Sequence, residues 1–253
     1  MPRIPDSALE SVVYLYPSEA DAEDGVQIGG TGFLVVIPIP YVQPAFAHLH
    51  CVVTNAHVID HGSMVVRLNT TDGAKTTIAL DGAEWFRHPD GDDIAICPIG
   101  MDPKFHKFKS MHPNMFLTKE IMAMFDVGPG DEVFIVGRFI NREGKQKNIP
   151  SVRFGNIAQM PGEPLILDGK EQECFLIEGR SIPGFSGSPV FIQIVPEAPE
   201  FPEFPANLKQ YEPKPSTNRP KMSHKAGPFL MGIDFCHLFN KDPRCERGVW
   251  QTN

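Results

Sequence analysis

Short apolar runs, rich in Val, Ile and Phe and bounded by Gly, Pro, Asn or Asp, recur along the whole chain. Their length and turn-residue borders predict β-strands over 11–16, 32–37, 51–54, 63–68, 75–80 and 94–98. A second set covers 132–137, 152–159, 174–178, 189–194 and 229–234. The helical period surfaces once, over 119–125, inside a less regular stretch at 101–129 that separates the two sets. Closely spaced strands of this kind predict an all-β protein. The natural arrangement is two packed antiparallel β-barrels of the six-stranded type, an N-terminal one over 8–115 and a C-terminal one over 116–253.

One segment breaks the pattern. Between 195 and 228 the chain holds eight prolines, and Pro196, Pro199, Pro202 and Pro205 follow each other at intervals of three. That interval matches the polyproline II turn, so 195–228 reads as an extended surface insertion between two strands. Its plain role is a stiff connector, and a Pro-x-x-Pro docking ligand for a partner is the functional alternative.

At 253 residues and 42% hydrophobic content, the chain has material for two such cores. Its formal charge of −8, without a basic run, argues against a nucleic-acid partner, because phosphate contacts need clustered Lys and Arg. No apolar run approaches the ~20 residues of a membrane-spanning helix, and the N-terminus lacks the apolar stretch of a secretory signal. The expectation is a cytoplasmic protein with no membrane partner. Five cysteines, an odd number without Cys-x-x-Cys spacing, predict free thiols rather than a disulfide framework. His48, His50 and His61 lack a supporting carboxylate or cysteine pattern, so no metal site is expected, and no organic cofactor is implied.

The chemistry lies in three short segments, in this order: Thr54-Asn55-Ala56-His57-Val58, Asp93-Ile94-Ala95-Ile96 and Gly184-Phe185-Ser186-Gly187-Ser188-Pro189. A histidine at the end of an apolar strand, read as opening a turn, can face a cleft while the strand holds its backbone. Asp93 directly precedes an apolar strand, where a partly buried carboxylate can accept from the imidazole and fix its tautomer. Ser186 sits among glycines that let the amides of Gly184 and Ser186 converge on one point, as a tetrahedral oxyanion requires. An α/β-hydrolase is dismissed because Ser188 stands at the second glycine of its Gly-x-Ser-x-Gly and, although Asp234 and His237 lie downstream, the alternating α/β pattern is absent.

Together these segments resemble the chymotrypsin/trypsin-like serine peptidases, most closely their bacterial trypsin-like branch. Gly29-Gly30-Thr31-Gly32-Phe33 resembles that family's first-barrel hairpin, and Pro129-Gly130-Asp131-Glu132-Val133-Phe134 the opening of its second barrel. The resemblance implies a serine endopeptidase acting on a protein or peptide through an acyl-enzyme. In it His57 is the general base, Asp93 its orienter, Ser186 the nucleophile, and Gly184 and Ser186 the oxyanion hole. The substrate-lining strand maps to Phe235-Cys236-His237, and Arg180 near the pocket would disfavour basic side chains. Two departures stand out. Phe185 replaces the aspartate of zymogen-type members, so activation by N-terminal trimming is not expected. Only 238–253 follow His237, which predicts a shortened second barrel. The competing reading is a catalytically inactive protease-fold protein that binds partners through its cleft or the Pro-rich segment.

Overall fold

The computed structural model describes residues 3–27, 29–39, 48–139, 144–167, 170–179, 185–194, 226–235, 237–238 and 251–252. The Pro-rich segment at 195–225, Gly184, Arg180, Cys236 and Cys245 lie outside these residues.

Two antiparallel sheets carry the molecule. The first contains β1 (Val12–Tyr16), β2 (Gly30–Pro38), β3 (His48–Thr54), β4 (Val65–Thr70), β5 (Lys75–Ala79), β6 (Phe86–Arg87), β7 (Ala95–Pro98) and β8 (His106–Lys107). Its order is β5-β4-β1-β2-β3-β7-β6, with β8 on β4. The 3₁₀ turn Pro113–Met115 and the helix Lys119–Phe125 lead into the second sheet. That sheet uses β9 (Glu132–Gly137), β10 (Ser151–Gln159), β13 (Leu176–Gly179), β14 (Pro189–Ile194), β15 (Ala226–Ile233), β16 (His237–Leu238) and β17 (Gln251–Thr252). Its order is β15-β14-β9-β10-β13-β17-β16, and β11 (Leu165–Leu167) with β12 (Lys170–Gln172) forms a separate hairpin.

The all-β architecture expected from the sequence is present. The barrels differ from expectation in two respects: the sheets have eight and seven strands, and neither closes among the described residues. Closure requires the two edge strands to pair. Here β6 and β16, each two residues long, end their sheets and offer almost no ladder. The chain beyond His237 does contribute strand, since β17 pairs with both β13 and β16. No helix among the described residues is long and apolar enough to cross a membrane.

A continuous core joins the sheets. Val12, Tyr14 and Tyr16 of β1 and Phe33 and Val35 of β2 pack with Phe134 and Val136 of β9 and Phe191 of β14. All five residues of β1 are buried, which explains its unbroken apolar run: both of its faces are covered. Two further clusters fill the sheets themselves, one around Leu34, Val52 and Cys97, the other around Ile135, Phe185 and Ile192. The interface also holds two fully buried arginines. Arg67 donates to Asn148 Oδ1 (2.7 Å), the Ala22 carbonyl (3.0 Å) and the Gly144 carbonyl (3.0 Å), and its guanidinium lies 4.9 Å from the Tyr16 ring centre. Arg138, from the end of β9, stacks on the same ring at 4.7 Å. Buried guanidinium charge persists because acceptors and π-faces replace its water.

Candidate active site

The site grows from the C-terminal end of β3. Beyond Thr54 the chain, which has already formed the short helices α1 (Asp6–Leu9) and α2 (Glu19–Asp24), turns into a single-turn helix, α3 (Ala56–Asp60), which carries His57. The sequence predicted an open turn there. One of the helix's first amides, the His57 N–H, is satisfied from elsewhere in the chain. Its N-cap residue Asn55 makes no side-chain cap. Instead Asp93 Oδ1 accepts from the His57 backbone N–H at 2.9 Å, across 36 residues of sequence. Asn55, fully buried, uses its Nδ2 to donate to the Asp93 carbonyl at 2.8 Å. Asp93 and α3 are thus fastened at two backbone points before the imidazole is considered.

The second carboxylate oxygen completes the pair. Asp93 Oδ2 lies 2.5 Å from His57 Nδ1, and the two side chains are 23% and 36% exposed. A carboxylate there accepts a hydrogen bond from Nδ1–H and leaves the Nε2 lone pair directed outward, the form a general base needs. Of the candidate acids in this loop, Asp92 instead approaches His88 Nδ1 at 3.3 Å.

Ser186 lies in a four-residue turn closed by Ser188 N–H donating to the Phe185 carbonyl at 2.7 Å. Gly187 holds the third position with φ +87°, the left-handed value of a type II turn, which glycine adopts without strain. Three backbone bonds dock this turn. Thr31 N–H donates to the Ser186 carbonyl (2.9 Å), Gly187 N–H to the Asp234 carbonyl (2.9 Å), and Asp234 N–H to the Ser188 carbonyl (2.9 Å). Thr31 is itself tied to the base strand, because its carbonyl accepts from Thr54 Oγ1 at 2.7 Å. Gly30 leaves room for the approach: a Cβ there would press on both methyls of Val58 in α3 and lie 3.2 Å from the Ser186 carbonyl. The turn therefore packs against the elements that carry His57. Among the described residues, no hydrogen bond joins Ser186 Oγ to His57 Nε2. Such contacts are often loose without substrate.

Phe185 occupies the position where zymogen-type members carry an aspartate. Its ring is fully buried in the second core, 5.0 Å beneath the Arg153 guanidinium. Burying such a ring contributes ~1.5–3 kcal/mol, enough to hold one end of the turn without a charge.

A cavity of about 190 Å³ opens beside the pair, with Asp93 on its wall. Ile94, Phe175, Ile177, Val190, Met231 and Phe235 give it an apolar lining, and Asp92 and Glu173 add carboxyl groups. Phe235 is one of the residues on this wall; Cys236 lies outside the described residues, and of His237 only the strand position is described. Cys174 also lines the cavity, and burial pushes its thiol above the ordinary range, which disfavours a nucleophilic thiolate. Sequence reasoning missed Thr31, Gly30 and Asn55 as supports of the site. Their signal was the Gly-Gly-Thr-Gly and Thr-Asn-Ala-His strings, whose mutual contact only the fold reveals.

No protein-family model matches the chain, and no curated protein sequence does. Among solved structures it is similar to the MamO protease domain of Magnetospirillum magneticum in its apo form, with 17% identity, a TM-score of 0.54, and coverage of 98% of this chain and 93% of that one. It also matches, more weakly, a serine-to-alanine mutant of Rv3671c from M. tuberculosis H37Rv in an inactive form, with 17% identity, a TM-score of 0.41, and 73% of each chain covered. Two antiparallel sheets joined by one core, and the likeness to the MamO protease domain along nearly the whole chain, give this protein a trypsin-like protease fold.

Proposed function

We propose that the chain is a serine endopeptidase that hydrolyses peptide bonds through an acyl-enzyme. The observation that carries this reading is the two-point grip of Asp93 on His57, at the backbone N–H and at Nδ1, beside a docked Ser-Gly turn. In this mechanism His57 Nε2 takes the Ser186 proton as Oγ attacks the peptide carbonyl. The amides of Gly184 and Ser186 receive the oxyanion, and His57 returns the proton to the leaving amine. Water then repeats the cycle on the ester. The apolar cavity beside Asp93 accepts an apolar side chain of the bound peptide.

The test is intact-mass analysis after treatment with a fluorophosphonate, beside Ser186→Ala. One adduct on the parent and none on the variant supports an activated serine. A folded parent that takes no adduct overturns the peptidase reading. It would favour the second one, a protease-fold binding protein.

A further inference from the structure

We propose that a cationic pocket at the other end of β3, unrelated to the peptidase site, binds a small phosphate ester. The strand His48–Thr54 separates the two places by roughly 20 Å, at ~3.3 Å per residue. The pocket has a volume of about 540 Å³, within the size range of small-molecule sites. Its charge runs against that of the chain. The protein has 31 acidic and 23 basic residues, yet this wall carries four histidines and two lysines against a single carboxylate, Glu10.

The cations come from three separate pieces of chain. His48 and His50, two apart on β3, share one face; His106 and Lys107 form β8; Lys109 and His112 lie on the stretch leading to the 3₁₀ turn. Glu10 is committed to Lys107 at 3.1 Å, whereas Lys109 makes no ion pair among the described residues. The rings are held by local partners at Nδ1: His50 meets Ser110 Oγ at 2.9 Å, His106 meets the Asp102 N–H at 2.9 Å and the Asp102 carbonyl at 3.2 Å, and His112 accepts from the Asn114 N–H at 3.4 Å. An Nδ1 that accepts places the ring proton on Nε2, so the His112 ring has an N–H donor to offer even when neutral. Several converging donors and ammonium groups suit a tetrahedral dianion better than a planar carboxylate. The Phe108 ring, edge-on to His50 at 5.2 Å, and Pro103 and Val36 supply apolar surface for the organic part of an ester. A metal is the poorer occupant, because among the described residues no three His, Cys, Asp or Glu side chains are grouped to hold one.

The pocket is sensitive to pH. Burial, and then the neighbouring His48, hold His50 below its ordinary value. A bound phosphate opposes both effects by favouring the imidazolium, so binding tightens as pH falls to about 6, where the ester's own second ionisation begins to remove its charge.

The experiment follows the imidazole resonances of the full chain by NMR during titration with phenyl phosphate at pH 6.0 and pH 8.0. Resonances are assigned with His48→Gln, and Lys107→Gln/Lys109→Gln serves as the pocket variant. Saturable shifts of His48 and His50 are expected, with affinity ~10-fold tighter at pH 6.0 than at pH 8.0 and ~10-fold weaker in the double lysine variant. These lysines are exposed, so the variant's thermal midpoint should match the parent's. Absence of saturation at pH 6.0, equal affinity in the variant, or equal affinity for benzoate overturns the assignment. So does binding to phosphatidic acid vesicles without binding to phenyl phosphate. None of these readouts depends on the chain being a peptidase.

Discussion

Replacing Asp93 with Asn separates what the carboxylate does for folding from what it does for chemistry. Asp93 has two jobs: Oδ1 caps α3 at the His57 N–H (2.9 Å), and Oδ2 holds Nδ1 (2.5 Å). Asn keeps one oxygen and can still cap the helix. Its amide then faces Nδ1 as a donor, so the imidazole must present a lone pair there and carry its proton on Nε2. In that tautomer Nε2 cannot accept from Ser186. The stability cost is that of weakening charge-assisted hydrogen bonds, ~1.5–3 kcal/mol. For a chain of this size that is a fall in thermal midpoint of roughly 3–12 °C. The chemical cost is far larger, ~10⁴-fold in rate, or about 5.5 kcal/mol of barrier. The assay is the rate of fluorophosphonate adduct formation by intact mass, beside thermal unfolding by circular dichroism on the same samples. A folded Asp93→Asn that labels within ~10-fold of the parent would refute the orienting role.

Two other outcomes are expected. Phe185→Ala removes the ring that anchors the nucleophile turn, at ~3–5 kcal/mol, and should lower the thermal midpoint by roughly 6–20 °C. An unchanged midpoint would show that the ring does not hold the turn. Cys97 is pushed by burial from 9.0 up to about 11. Below pH 9 its thiol is neutral in both states; above it the unfolded chain releases the proton first, so the folded state loses stability as pH rises toward about 11. Urea unfolding at pH 8 and pH 10.5 should show a smaller loss in Cys97→Ala than in the parent, and equal losses would contradict the burial argument.

The sequence by itself determined most of the secondary structure and the fold class. Strands 132–137 and 189–194 and the helix over 119–125 were legible to the residue, because local chemistry specifies them. Continuous apolar runs mark strands covered on both faces, and Thr118 caps its helix by accepting from the Ile121 N–H at 3.3 Å. The residue types of the candidate site were also visible, since His57, Asp93 and Ser186 each lie in a short, unusual string. Tertiary structure decided the rest. Helix α3 was invisible because its cap comes from Asp93, 36 residues away, and no local signal encodes a distant hydrogen-bond acceptor. Among the described residues the two sheets stay open, because closure depends on which edge strands meet, not on any strand's own propensity. The contact between the Ser186 turn and the His57 strand passes through Thr31 and Gly30, residues with no reactive group. The cationic pocket likewise joins His48, Lys109 and His112 from remote parts of an acidic chain, where composition averages them away. Periodicity and capping act over a few residues and can be read along the chain. Hydrogen bonds and charges act through space, and only the folded chain brings their partners together.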